Sequence, residues 1–165
     1  FYIINIKLKS KVQKKIFYSF IFVYMFFLAY KMFIYHPYQN IYFNSVFNKT
    51  NKSIHEKFEI DYWGLSGKRF LEKIISLEKN KTSIQVASAS FIPLERSKKL
   101  LLAKDREKIK VVGQEYRKAD YIFLNFTSEV NKKFNDKYKI PPYFSKINSL
   151  VIDNIVVYEV YKNNK

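Results

Sequence analysis

The chain has no cysteine, and glycine (three residues), proline (four) and tryptophan (one) are scarce among its 165 residues. The lack of cysteine excludes disulfides, thiolate metal ligands and a cysteine nucleophile. The only histidines are His36 and His55. They form neither a metal-binding cluster nor a nucleophile–histidine–aspartate set, so the sequence predicts no metal site and no catalytic residue of these kinds.

Arginine is also scarce. Only four of the 30 basic residues are arginines, although the formal net charge is +16. Such a charge raises nucleic-acid binding as a hypothesis, but base readout depends heavily on arginine, and the basic residues are spread along the chain rather than gathered in one patch. We predict no nucleic-acid partner and a basic surface that faces anionic lipid headgroups. A soluble nucleic-acid binder is the third-ranked function.

The longest apolar run covers residues 16–35 and contains one charge, Lys31. A helix of about 20 residues crosses the roughly 30 Å hydrocarbon core of a bilayer. A buried helix of a small soluble domain would carry a polar stripe. A signal peptide would have a shorter apolar run followed by a small-residue cleavage site. The run therefore predicts a transmembrane helix, with membrane lipid as a partner.

The flanks of this run predict its orientation. Residues 7–15 contain five lysines and no acidic residue, which is typical of a short cytoplasmic loop. Residues 1–6 are apolar and read as the tail of a preceding membrane helix. Residues 36–165 would then form one extracytoplasmic domain. Because the chain begins with Phe1 rather than Met, we expect it to be part of a longer protein. A short loop between two apolar segments predicts a multi-pass membrane protein, of which residues 16–35 are the last span.

Two motifs follow the apolar run, HPYQNIYFN at residues 36–44 and FEIDYWG at residues 58–64. Pro37 disfavours helical geometry at the residue before it, so the helix should end near there. In an extended strand Glu59 and Asp61 would face the same way. A carboxylate beside Tyr62 and Trp63 is a common way to hold a sugar, because the rings stack on its C–H face and the acid accepts its hydroxyls.

Structural roles are the alternative for the same residues. Tyr62 and Trp63 could pack the domain onto the membrane, and Asp61 could cap a turn before the following helix. His36 could make a local hydrogen bond, and Asn125, at the end of a predicted strand, could serve a turn.

Together the two motifs resemble the extracytoplasmic tail of bacterial GT-C type membrane glycosyltransferases, which are similar to dolichyl-phosphate-mannose mannosyltransferases. ADYIFLN at residues 119–125 and the segment 155–162 extend the resemblance to about residues 16–162. One departure is the spacer 48–57, which lacks the glycines that members of this family often have. The resemblance implies transfer of a sugar from a polyprenyl-phosphate carrier at the outer face of the bacterial inner membrane.

The resemblance also implies partners and site residues. The acceptor would be a glycan, a lipid or a protein, and the catalytic acid would lie upstream of this chain. No cofactor is expected in this chain, and a divalent cation stays open for the parent enzyme. A membrane-anchored carbohydrate-binding or docking module without transferase activity is the alternative. The candidate substrate-binding residues are His36, Tyr38, Asn44, Glu59, Asp61, Tyr62, Trp63 and Asn125.

The remaining pattern predicts an α/β domain with a mixed sheet and a C-terminal β-hairpin. Helices are expected from an N-cap at Ser66 to about Lys79, from Pro93 to about Asp105, and over residues 128–135. Strands are expected at residues 83–88, 109–112 and 121–126, the last one central. The hairpin joins 147–152 to 155–161 across Asp153 and Asn154. The predicted core is Ile84, Val86, Val111, Ile122, Leu124, Val151, Val156, Tyr158 and Val160, with a helical stripe of Phe70, Leu71, Ile74, Ile75 and Leu77 and a second stripe of Leu94, Leu101 and Leu102.

Overall fold

The computed structural model describes residues 10–41, 60–61, 64–126 and 138–165. The chain divides into two compact units, Phe1–Gln39 and Asn40–Lys165. The predicted helix at residues 128–135 lies outside the described residues, as does the predicted membrane segment at residues 1–6.

The first unit contains one long helix, α1 (Lys11–Ile34). It begins inside the segment assigned above to a loop because Ser10 and Gln13 form a capping box, in which each side chain accepts a hydrogen bond from the other residue's backbone N–H. None of its residues is buried. Among the described residues it is the one helix long and apolar enough to cross a membrane, by length and composition.

The second unit is built on a five-stranded sheet whose strands are β1 (Ile84–Ser88), β2 (Ile109–Val111), β3 (Tyr121–Asn125), β4 (Phe144–Ile152) and β5 (Ile155–Asn163). The spatial order is β2-β1-β3-β5-β4. The first three strands are parallel to one another, and β5 and β4 are added as antiparallel strands. The predictions of an α/β fold and a mixed sheet are confirmed, and the central strand predicted at 121–126 is β3, which ends one residue earlier.

One face of the sheet is covered by α2 (Leu65–Leu77), which buries Phe70, Leu71 and Ile74. The ring of Phe70 lies 5.1 Å from that of Phe123, which lies 5.8 Å from that of Tyr158. Because side chains alternate along a strand, Tyr121, Phe123 and Asn125 share this face. The opposite face of β1 and β3 carries a cluster of Ala87, Ala89, Ala119, Ile122 and Phe144.

The chain between β1 and β2 forms two short helices, α3 (Leu94–Lys99) and α4 (Ala103–Lys108). The single helix predicted there is therefore wrong. Leu102 has a ψ of 149°, which is not helical. The chain therefore leaves the helical conformation between α3 and α4. Leu94 and Leu101 are buried as predicted, whereas Leu102 is exposed.

The C-terminal hairpin is confirmed. Asp153 and Asn154 have φ values of 50° and 64°, the left-handed geometry of a two-residue turn whose twist matches the strands. Of the predicted sheet core, five side chains are buried, namely Ile84, Val86, Ile122, Tyr158 and Val160. Three others, Val111, Leu124 and Val156, are half-buried.

Two apolar predictions fail at the borders of the core. Val151 is 51% exposed because it lies on the outer strand β4, next to the turn and just after a register shift. Leu77 is exposed at the end of α2, and Ile75 is half-buried. The helix stops there, two residues before the predicted end at Lys79, and the N–H of Glu78 closes its last turn.

Candidate functional site

The candidate site is the start of α2, where Asp61 lies on the loop that leads into the helix. Ser66 is the predicted N-cap, but Gly64 occupies that position with φ 65°. A Cβ at Gly64 would stand 2.7 Å from Cγ2 of Ile92, so glycine permits both the left-handed turn and the close approach to the loop after β1. Asp61 replaces the missing cap, because its Oδ1 accepts the N–H of Ser66 at 3.3 Å.

Asp61 is 2% exposed, and its carboxyl group is surrounded by donors. The Ser66 hydroxyl and the Asn125 side-chain amide both donate to Oδ2, the amide at 2.9 Å. The Asp61 carbonyl accepts the N–H of Gly64 at 2.9 Å. The residues on both sides of the Tyr62–Trp63 dipeptide are therefore anchored.

Asn125 reaches this carboxylate because of strand alternation. It ends β3 on the face that α2 covers, and it is fully buried. Its Oδ1 accepts the hydroxyl of Ser90, and Ser90 in turn accepts the N–H of Ile92 at 3.1 Å. These bonds run in one direction, from the loop after β1 through Asn125 to Asp61. We refer to Asp61, Ser66, Ser90 and Asn125 as the buried polar cluster.

Burial and hydrogen bonding act on Asp61 in opposite directions. Burial raises the pKa of its carboxyl group above the ordinary value, and the hydrogen bonds from Ser66 and Asn125 partly offset this rise. An ionised carboxylate can only accept hydrogen bonds, whereas the protonated group also carries an O–H that must be donated. Since Ser66 and Asn125 both donate to the Asp61 carboxyl group, these bonds favour its charged form and oppose the cost of its desolvation.

The cluster lies where an open α/β sheet usually binds ligands. The chain leaves β1 on one side to form β2 and then passes back to form β3 on the other side. The carboxyl ends of β1 and β3 therefore flank a topological switch point, the place at which ligands bind in such folds. Phe91, on the loop after β1, is exposed here, and Ser90 and Ile92 on either side of it are linked by a hydrogen bond.

The other predicted site residues divide into two groups. His36 is exposed, and its Nδ1 lies 2.9 Å from Nε2 of Gln39, which also donates to the carbonyl of Met32. Tyr38 is buried. The helix α1 ends at Ile34, before Pro37 as predicted. The His36–Pro37 peptide bond is cis. Four candidates, Asn44, Glu59, Tyr62 and Trp63, lie outside the described residues.

Sequence reasoning missed Ser90 and Phe91, and it assigned Ser66 only a capping role. A pattern was available for Ser90, since Ser88 and Ser90 continue the alternation of β1 onto the face that carries Asn125. Polar residues at the carboxyl ends of adjacent parallel strands converge on one edge, so the pair Ser90 and Asn125 could have been proposed. Its link to Asp61 could not, because Asp61 precedes the sheet by a whole helix.

Chemically, the buried polar cluster is a positioning device. Its donors and acceptors are used internally, and it holds the start of α2 against the carboxyl ends of β1 and β3. Within the described ranges there is no group of three or more His, Asp or Glu side chains that could hold a metal ion.

No protein-family model, curated protein or solved structure matches the chain.

Proposed function

We propose that this chain is the C-terminal part of an integral membrane glycosyltransferase. The enzyme transfers a sugar from a polyprenyl-phosphate carrier to an extracytoplasmic acceptor. Residues 36–165 lie on the periplasmic side of a multi-pass protein, cover the active site and contribute to acceptor binding. The catalytic acid belongs to the upstream part of the parent.

The observation that carries the proposal is the hydrogen bond between Asp61 and Asn125. The two residues are 64 positions apart, and each belongs to one of the sequence motifs on which the resemblance rests. Their contact supports the proposal, because it joins residues of the two motifs at the edge of the sheet where ligands usually bind in such folds. A candidate membrane helix that precedes this site agrees with a lipid-linked donor.

In this function the acid and the aromatic residues have different roles. Asp61 is buried and acts as a positioning residue, since its hydrogen bonds with Ser66 and Asn125 fix its own place in the chain just before Tyr62 and Trp63. The aromatic side chains then provide the stacking surface for the acceptor sugar.

The test is sugar transfer in membranes that contain the full-length parent, with a radiolabelled polyprenyl-phosphate sugar as donor. We expect Trp63→Ala and Asp61→Ala to lower transfer while alkaline extraction shows unchanged membrane insertion. Leu77→Ala, at an exposed position near the far end of α2, is the matched control. Unchanged turnover in both variants would remove these residues from the site.

The docking module without transferase activity remains the second candidate, because aromatic residues beside a buried, hydrogen-bonded Asp61 can also serve binding alone. It predicts that the detergent-solubilised chain binds glycans, that Trp63→Ala abolishes this binding, and that parent membranes transfer no sugar. Transfer by the parent membranes would exclude it.

A further inference from the structure

The turn between α3 and α4 contains three consecutive leucines, of which the middle one is buried and the outer two are exposed. Leu101 is 5% exposed and anchors the turn, whereas Leu100 and Leu102 on either side are 65% and 66% exposed. We call residues 100–102 the leucine loop. It holds two large aliphatic side chains in water, which is unfavourable unless another apolar phase receives them.

The leucine loop is held in place by several hydrogen bonds. Nη2 of Arg106 donates to the carbonyls of Lys99 at 2.9 Å and of Leu101 at 3.0 Å. The N–H groups of Leu100 and Leu101 donate to the carbonyls at the end of α3. Because the backbone is fixed in this way, the two leucines are presented by a built turn rather than by a frayed helix end.

The segment around the loop is basic. Residues 98–108 contain five basic side chains, Lys98, Lys99, Lys104, Arg106 and Lys108, against two acids. Both Lys99 and Lys104 are exposed, one on each side of the loop. An apolar tip between cations is complementary to an anionic bilayer surface, whose headgroups attract the lysines and whose acyl boundary accepts the leucines.

We propose that the leucine loop is a membrane-contact element that inserts Leu100 and Leu102 into the interface of a bilayer rich in anionic phospholipid. A nucleic acid or an acidic protein would satisfy the cations but would leave the leucines in water, so lipid is the partner that both features favour. A membrane-inserted α1 on the same chain would raise the local concentration of lipid for the second unit. The proposal does not depend on transferase activity.

The absence of cysteine allows a direct test on the full chain. Leu100→Cys is labelled with an environment-sensitive fluorophore, and the chain is reconstituted into vesicles of equimolar phosphatidylglycerol and phosphatidylcholine that contain lipids brominated on the acyl chain. Val151→Cys is the matched control, because Val151 is an exposed aliphatic residue on the outer strand at the opposite edge of the sheet.

We expect a blue-shifted emission and quenching by the brominated lipid at position 100, and neither at position 151. Replacing the anionic lipid by phosphatidylcholine should reduce the quenching. The substitutions Lys99→Glu and Lys104→Glu should weaken it too, since each lysine near an anionic surface contributes roughly fivefold in partitioning.

Three results would overturn the proposal. The first is a label at position 100 that stays in water in both vesicle types. The second is equal quenching at positions 100 and 151, which indicates contact without a specific surface. The third is a response at position 100 to duplex DNA or an acidic peptide in detergent, but not to vesicles. That result would make the leucine loop a polyanion site.

Discussion

Asn125→Ala is the substitution that tests the buried polar cluster most directly. It removes the donor to Asp61 and the acceptor of Ser90 in one change, and it leaves the carboxyl group in place with a smaller set of partners. The change does not touch α1, so the effect should be confined to unfolding of the α/β domain.

The expected size follows from the two lost bonds. A hydrogen bond to a charged group contributes about 1.5–3 kcal/mol, and a buried polar group left without its partner costs ~1–3 kcal/mol. Since some of this overlaps, we expect the free energy of unfolding to fall by about 3–5 kcal/mol at neutral pH. That is a large share of the roughly 5–15 kcal/mol that a domain of this size has.

The loss should also depend on pH. Burial raises the pKa of Asp61 in the folded chain above its ordinary value, so stability falls as the pH rises from that ordinary value through the folded-state pKa. Removing the Asn125 donor raises the folded-state pKa of Asp61 further. In the variant, ionisation of Asp61 therefore lowers the free energy of unfolding over a wider pH range. The loss of stability relative to the wild type should be larger at neutral pH than in acid.

Urea unfolding of the whole chain in detergent micelles, followed by the fluorescence of Trp63, its only tryptophan, measures this deficit at about pH 4 and pH 7. Asn148→Ala, at a half-buried amide on β4, is the control and should cost less than ~1 kcal/mol. A deficit for Asn125→Ala no larger than that of the control, or one that is the same at both pH values, would refute the reasoning.

Three further changes test other parts of the domain by the same unfolding assay. A Cβ at Gly67 would stand 2.3 Å from Oγ of Ser97, so Gly67→Ala should cost about 1–3 kcal/mol by forcing the two helices apart; the double change with Ser97→Gly should recover most of it. Tyr121→Phe removes a 2.6 Å hydrogen bond to Glu78 and should cost about 0.5–1.5 kcal/mol. Because Tyr121 lowers the pKa of Glu78 below 4.5, this cost should be present at neutral pH and shrink as the pH falls through the folded-state pKa. Asn154→Gly should stabilise the hairpin by several tenths of a kcal/mol, since glycine adopts the φ of 64° without steric cost, and a loss of stability would contradict that geometry.

The sequence predicted those parts of the fold that depend on short-range pattern. The short β-rich runs that form β1, β3 and β5 and the Asp153–Asn154 turn are local features, and they placed these strands and the hairpin correctly. The split between α3 and α4 was missed, because Leu100, Leu101 and Leu102 all suit a helix and their sequence does not show which of them tertiary packing will bury.

The candidate site was predictable in composition but not in arrangement. Asp61 and Asn125 were both singled out, on different motifs, and their contact depends on how α2 lies across the sheet. That placement requires Gly64 in a left-handed conformation against Ile92, a long-range condition that no local pattern encodes. The capping role of Asp61, considered above as a structural alternative, has a direct counterpart in its bond to the N–H of Ser66.

The burial of Asp61 changes how the motif around it can serve a sugar. A hydroxyl that reached this carboxylate would have to displace Ser66 or Asn125, and either exchange would break the cap of α2 or the link to β3. A carboxylate with such structural bonds contributes to binding by positioning the chain around it rather than by contacting the sugar. Loss of Asp61 and loss of Asn125 should therefore have similar effects on stability and on any transfer by the parent, whereas loss of Trp63 should affect transfer without a comparable loss of stability. A role of Asp61 as a direct sugar ligand requires the opposite, namely that Asp61→Asn abolishes transfer while Asn125→Ala leaves it intact.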